Sequence, residues 1–268
     1  MNNKYSHFCI LYAALGLAIL INACSPIPKA GKISPSEFDL VESDVLTIGA
    51  DASYPPHTFL DPDSKQLIGL DVDLANEIGK RLGLNVKFVT VEWKGIIPAL
   101  QAKRFDLITA EMNITSERKE VVDFSDVVFT GGHVLVVRSD NTDIHKPEDL
   151  TGRTVLVPIG TTEEQEAKKY TDNIKAYSLL SECFRELQLG RGDAIIVELS
   201  VASEYIKNSN GAFKVVAGPW TQTQSGFAFR KDAASSKLRD AINGVLSEMR
   251  NDGTYEKILS KWIVNAEP

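Results

Sequence analysis

The sequence predicts an α/β protein of two small lobes, each a sheet with room for a ligand at the C-terminal ends of its strands. Three observations carry that expectation. Short β-branched strands alternate with helical patterns from Val45 to about residue 120, as parallel βαβ units do. A second alternating series starts near residue 132, and two extended stretches, near 127–132 and 221–225, would take the chain from one series to the other and back. The 268 residues, 43% hydrophobic and 24% charged, supply ample core and exclude a disordered chain or a multi-span membrane protein. A formal net charge of -7 with no Lys/Arg cluster argues against a nucleic-acid partner.

The chain opens with a segment that belongs to neither series. After Lys4, the apolar stretch Phe8 to Ala23 matches a secretory h-region and is short for a spanning helix, so residues 1–23 read as a signal peptide, with an uncleaved membrane anchor as the alternative. It closes on Ile21-Asn22-Ala23-Cys24, which resembles the lipobox of bacterial lipoproteins, although Asn22 stands where small or aliphatic residues are usual. That resemblance implies lipidation of Cys24, with two or more acyl chains as stable anchoring requires, and a protein tied to the periplasmic or cell-surface face of a membrane. Ser25 after the cysteine, rather than Asp, favours the outer membrane in a Gram-negative cell. Residues 24–44 hold three prolines and little periodicity and read as a lipidated tether. With Cys9 in the signal and Cys24 lipidated, Cys183 stands alone, and no intrachain disulfide is expected. The spacing of residues 179, 180, 183, 184 and 187 makes Cys183 a small core hydrophobe on a helix. The 4 histidines form no ligand-spaced pair, so neither metal nor cofactor is expected.

The first series reads strand 45–50, helix 71–82, strand 86–91, helix 95–103, strand 106–111 and helix 116–120. The second reads a strand in "GHVLVVR", then a strand, a Gly-Thr-Thr turn and a helix in "TVLVPIGTTEEQEAKKY". The Cys183 helix, a strand in "GDAIIVEL" and a helix over 200–207 complete it. After "AGPWTQTQSGFAFRK", a long helical pattern ends the chain, broken at Asn251-Asp252-Gly253. Lobe one is thus expected over 45–130 and 226–268, and lobe two over 131–225.

"GLDVDLANEIGKRLG", Gly69 to Gly83, matches the signature of the bacterial solute-binding proteins of family 3, the polar amino-acid binding components of ABC importers. Five more blocks follow in order: "WKGIIPALQAKRFDLI", "NITSERKEVVDFSD", "VLVPIGTT", "GDAII" and "EMRNDGTYEKILSKW". The sequence therefore resembles that family over nearly all of Val45 to Trp262, and looks closest to its glutamine, histidine and arginine binders. The resemblance implies a type II-like periplasmic-binding-protein fold, two small α/β sheets joined by a two-strand hinge. It further implies a monomer whose lobes close on an amino acid and dock on a membrane permease. ATP would be used by a separate subunit, since no GxxxxGK[ST] occurs in this chain.

The resemblance also accounts for an oddity. Arg118 sits in the first turn of its helix, where the helix dipole disfavours positive charge. It matches the family's carboxylate-binding arginine, whose planar guanidinium makes a charge-assisted bidentate pair; pairing with Glu117, Glu120 or Asp123 on a solvated face is the alternative. Glu198 matches the acidic residue, usually aspartate, that accepts the ligand's ammonium from lobe two. Tyr54 and Trp93 match two aromatic platforms over the ligand's side-chain stem, with core packing as the alternative. Asp51 corresponds to a first-loop position that touches ligand side chains, or else caps the turn before Tyr54. Thr161 and Thr162 match carboxylate donors of lobe two, or form a helix N-cap after Gly160. Asn113 falls where relatives carry Thr or Ser. His57 stands where the family is usually aromatic or apolar, and its role is open.

Glu111 departs furthest from the family pattern, which has a small residue there. A carboxylate buried without a cation is costly, so a cationic ligand, arginine-, lysine- or ornithine-like, gains over glutamine; a local partner such as Lys94 is the alternative. Acidic residues 163, 164 and 166 lean the same way but read first as a solvated helix N-terminus. Binding without turnover is the expected activity, with a dehydratase of the cyclohexadienyl type, a receptor's sensor module and a structural lipoprotein as rivals.

Overall fold

The computed structural model describes residues 37–263 of the chain; the expected signal peptide, Cys24 and the tether up to residue 36 lie outside the described residues. Strand Val45–Ala50 is buried because it is paired on both sides, in parallel with Asn85–Thr90 and with Leu107–Ile108. Its five-stranded sheet continues through Ala228–Arg230 to Val122–Phe124. Helix Leu70–Leu82 covers this sheet with Leu70, Leu74 and Ile78, spaced four apart on one face, and packs there with the C-terminal helices Ala233–Asn251 and Thr254–Trp262. Burying each such side chain is worth roughly 1.5–3 kcal/mol. Asp71 and Asp73 at its start and Lys80 and Arg81 at its end complement the helix dipole, and Gly83, left-handed at φ 72°, stops it.

Lobe two repeats the plan. Its five-stranded sheet runs Ile174–Tyr177, Val155–Pro158, Ala194–Glu198, His133–Arg138, Phe213–Ala217. The inner strands are buried on both faces, with helices Leu180–Gln188 and Leu199–Lys207 contributing to one of the two apolar clusters. Between the lobes, Phe129–Gly131 and Thr223–Ser225 pair antiparallel as a two-stranded hinge.

The sheets are mixed rather than purely parallel. Ala228–Arg230 is antiparallel to both its neighbours, and so is His133–Arg138, because these strands enter each lobe from the hinge instead of through a helical crossover. Strands Val122–Phe124, Ile174–Tyr177 and Phe213–Ala217 are absent from the sequence reading; each is a short edge strand, and Phe213–Ala217 is interrupted by a bulge. The strand expected over 106–111 ends at Ile108, since Glu111 turns left-handed at φ 47°. The end of the expected tether also packs: Phe38 is buried in the lobe-one core, and Val41 donates its N–H to Asp106 at 2.8 Å.

Candidate functional site

The loops leaving the parallel strands of both lobes face one cavity, which encloses about 510 Å³ including its open mouth. That is within the roughly 300–1,000 Å³ of small-molecule sites. Lobe one lines it with Asp51, Tyr54, Trp93, Glu111, Asn113 and Arg118; lobe two lines it with Thr161, Thr162 and Glu163 beside Pro158 and Ile159. Eight of the nine residues expected at the site are therefore brought together, and Glu198 is not among them.

Arg118 is placed by its own helix. Thr115 caps the helix by accepting the backbone N–H of Arg118 at 3.1 Å, and the guanidinium folds back, donating through Nη1 to the Asn113 carbonyl at 2.9 Å. It lies 4.9 Å over the Trp93 ring. Burial presses its pKa down while Glu163 and Glu111 hold it up; an arginine stays cationic under such a balance. None of the solvated-face acids pairs with it as an ion bridge among the described residues.

Glu111 is buried at 7% exposure, and its Oε1 has no hydrogen-bond partner. Burial raises its carboxyl well above the ordinary value, and the nearby Glu198, Glu163 and Asp71 add to the rise, with Arg118 opposing. Lys94, the local partner considered from sequence, instead lends its charge to Glu164. The Asn113 side chain donates to Thr162 Oγ1 at 2.8 Å, and its Oδ1 is likewise buried without a partner. Two unanswered acceptors thus face the cavity beside a guanidinium.

Glu163 corrects the reading of a solvated helix start. It is 3% exposed, and its carboxylate accepts the Tyr54 hydroxyl at 2.6 Å and the Thr162 hydroxyl at 3.2 Å. Burial and these acids hold the Tyr54 phenol well above its usual pKa, so it donates. The sequence signal for Glu163 was its place directly after Thr161 and Thr162 in the same turn. Glu164 fits the solvated reading better, bridging to Lys168 at 2.6 Å, whereas Glu166 is buried and held by Lys169, Tyr170 and Trp220.

Glu198 goes elsewhere. At 1% exposure, it accepts the Gly132 N–H at 2.6 Å, the Leu199 N–H at 3.1 Å and the Thr223 hydroxyl at 2.8 Å. The physical reason is position: the strand that ends in Glu198 pairs with the strand entering from the hinge, which puts the Gly132 N–H and the Thr223 hydroxyl within reach of its carboxylate, while its charge still acts on Glu111 and Tyr54 in the cavity. Asp51 lines the cavity and also accepts the Ser53 N–H at 2.9 Å in the turn before Tyr54. Thr161 caps its helix by accepting from the Glu164 N–H at 3.3 Å, and Gly160 adopts φ 74°.

The lobes are shut over the cavity. Trp93 Nε1 donates to the Gly160 carbonyl at 3.0 Å, Tyr54 reaches Glu163, Asn113 reaches Thr162, Gln165 donates to Glu117 at 3.1 Å, and His57 Nε2 lies 2.9 Å from Ser200 Oγ. Every one of these contacts crosses between lobes.

Residues 46–265 match the family model of the bacterial extracellular solute-binding proteins, family 3. The chain is 32% identical over 252 residues to the arginine-binding extracellular protein ArtP of Bacillus subtilis (strain 168), covering 92% of this chain and 96% of that protein. Among solved structures, an ancestral arginine-binding protein bound to arginine has a TM-score of 0.78 at 42% identity, covering 82% of this chain and 98% of the other. The ancestral amino acid-binding protein AncCDT-1, a precursor of cyclohexadienyl dehydratase, has a TM-score of 0.77 at 40% identity, covering 82% and 96%.

Proposed function

This chain belongs to the bacterial extracellular solute-binding proteins of family 3, and we propose that it binds a cationic amino acid of the arginine or lysine kind and delivers it to an ABC importer in the membrane. The observation that carries the choice of ligand is the buried Glu111 carboxylate, without a hydrogen-bond partner at Oε1 and facing the same cavity as Glu163. A ligand cation supplies what those acids lack, and the ligand carboxylate is taken by Arg118 together with Thr161 and Thr162. Glu163 then replaces Glu198 as the lobe-two acid available to the α-ammonium. Because the ligand touches both walls, its binding energy favours the shut form over the open one. The arginine-binding relatives support this ligand class; the lipobox-like Cys24 supports delivery from a lipid-anchored, extracytoplasmic protein. Cations at the ligand's side chain distinguish this reading from a glutamine binder of the same family.

A catalytic reading has one observation in its favour, the raised Glu111 carboxyl, which could carry a proton within the cavity. Calorimetric titration of the purified protein with arginine, lysine, ornithine, citrulline, glutamine and histidine tests the proposal, alongside an assay for prephenate turnover. Arginine or lysine should bind more tightly than citrulline, with no turnover. Tighter binding of glutamine or citrulline than of arginine would sink the cationic reading, and turnover would sink the binder.

A further inference from the structure

Glu111 reaches the cavity from a backbone with φ 47°, a region that costs a glutamate strain unless its surroundings enforce it. The enforcing group is a second acid. Asp71, in the first turn of helix Leu70–Leu82 and 3% exposed, accepts the backbone N–H of Glu111 through Oδ2 at 2.8 Å. The same oxygen meets the Thr58 hydroxyl at 3.4 Å, while Oδ1 faces His57 Nδ1 at 3.9 Å. His57 is fully buried, edge-on to Phe129, and spans to Ser200 on lobe two. Asp71 thus stands between the residue that aims a charge at the ligand and a residue that touches the opposite lobe.

Its charge has the wrong sign for any electrostatic help. Asp71 repels the Glu111 carboxylate and so disfavours the ionised form that a cation needs. What it supplies is geometry. Released from that hydrogen bond, Glu111 loses the tie at its own N–H and can turn from the left-handed form toward the extended one, within a segment still anchored by the Met112 carbonyl on Gly226. Successive side chains then alternate faces, and the Glu111 carboxylate leaves its present direction.

We propose that Asp71 is a specificity-determining positioning residue: by holding the Glu111 backbone N–H it keeps the Glu111 carboxylate on the ligand, and so sets the preference for a charged over a neutral side chain. The inference rests on the cationic reading of the site. Arginine and citrulline are the probes, because they share length and shape and differ in the charge of the terminal group. Their affinities are measured by calorimetry on the purified protein and on Asp71→Ala, Asp71→Asn, Glu111→Gln and the Asp71→Ala/Glu111→Gln pair, with thermal melts reporting folding.

Asp71→Ala should reduce the arginine-over-citrulline preference by roughly tenfold, about the net worth of one charged hydrogen bond that the displaced Glu111 carboxylate no longer makes. Asp71→Asn should keep most of it, since its oxygen can still accept from Glu111. In the Glu111→Gln background, Asp71→Ala should leave the preference where it is. Equal weakening of both ligands by Asp71→Ala, or an unchanged additional effect in the double variant, would overturn the proposal. If Asp71→Ala does not fold, Asp71→Ser, too short to reach the same N–H, is read in its place. A wild-type protein that shows no preference for arginine refutes the cationic reading instead; the positioning role is then judged on the tighter ligand, where additive effects of Asp71→Ala and Glu111→Gln overturn it and strong coupling supports it.

Discussion

The cleft and the hinge each hold a buried glutamate, Glu111 just past the end of its strand and Glu198 as the last residue of its own, and the two are provided for differently. Glu198 at the hinge is surrounded by donors, the Gly132 and Leu199 N–H groups and the Thr223 hydroxyl. Glu111 at the cleft has Oε1 left without any, under the charges of three further acids and one guanidinium. Burial raises both carboxyls, but hydrogen bonds pull Glu198 back down while like charges push Glu111 further up. The difference is one of completeness: the Glu198 carboxylate is bonded through both oxygens at the hinge, whereas Glu111 keeps an unpartnered oxygen in the cavity.

Removing the cation from the cleft should break that arrangement most severely. Arg118→Ala should weaken every amino acid alike, by about 2–5 kcal/mol, the cost of truncating one partner of a buried charge pair, read by calorimetry; loss confined to one ligand would detach Arg118 from the carboxylate. Next in size is the hinge. Glu198→Ala should lower stability in urea unfolding by about 1–3 kcal/mol, because it strands buried donors, while leaving the preference for arginine over citrulline intact. A changed preference would return Glu198 to the ligand.

The smallest effect is on stability against pH, and it sharpens the comparison. Since the folded-state Glu111 carboxyl titrates above its ordinary value of 4.5, the folded protein binds that proton more tightly than the unfolded chain does. Its contribution is therefore fully present below the unfolded value and is lost as pH rises through the folded one. Glu111→Gln should flatten the fall in melting temperature of the ligand-free protein as pH rises above the ordinary carboxyl value of 4.5. An unaltered slope would mean that Glu198 or another raised acid carries the dependence.

Much of this was readable in the chain. Strand Val45–Ala50 and helix Leu70–Leu82 sit within a residue of their expected bounds, because a β-branched run and a four-residue apolar spacing bury themselves in only one way. The break before Gly253 was also visible, as the left-handed Gly253 itself starts the last helix. Edge strands such as Ile174–Tyr177 were not, since half their residues face solvent and carry no alternation strong enough to register. At the site, the shared cavity of Arg118 and Trp93 followed the family-like blocks, and Tyr54 joins them from the segment after the first strand. That Glu163 lines the cavity and Glu198 does not was not readable there.

The sequence by itself determined which segments become strands and helices, and which kinds of group, a guanidinium, aromatic rings and acids, end up at the ends of the strands. Only the tertiary structure decided which acid looks into the cleft. Gly132 lies 66 residues from Glu198 and Tyr54 lies 109 from Glu163, and no local pattern reports donors brought together across such distances. Local propensity acts over a turn or a strand, whereas the partner of a buried charge is set by the packing of the whole chain.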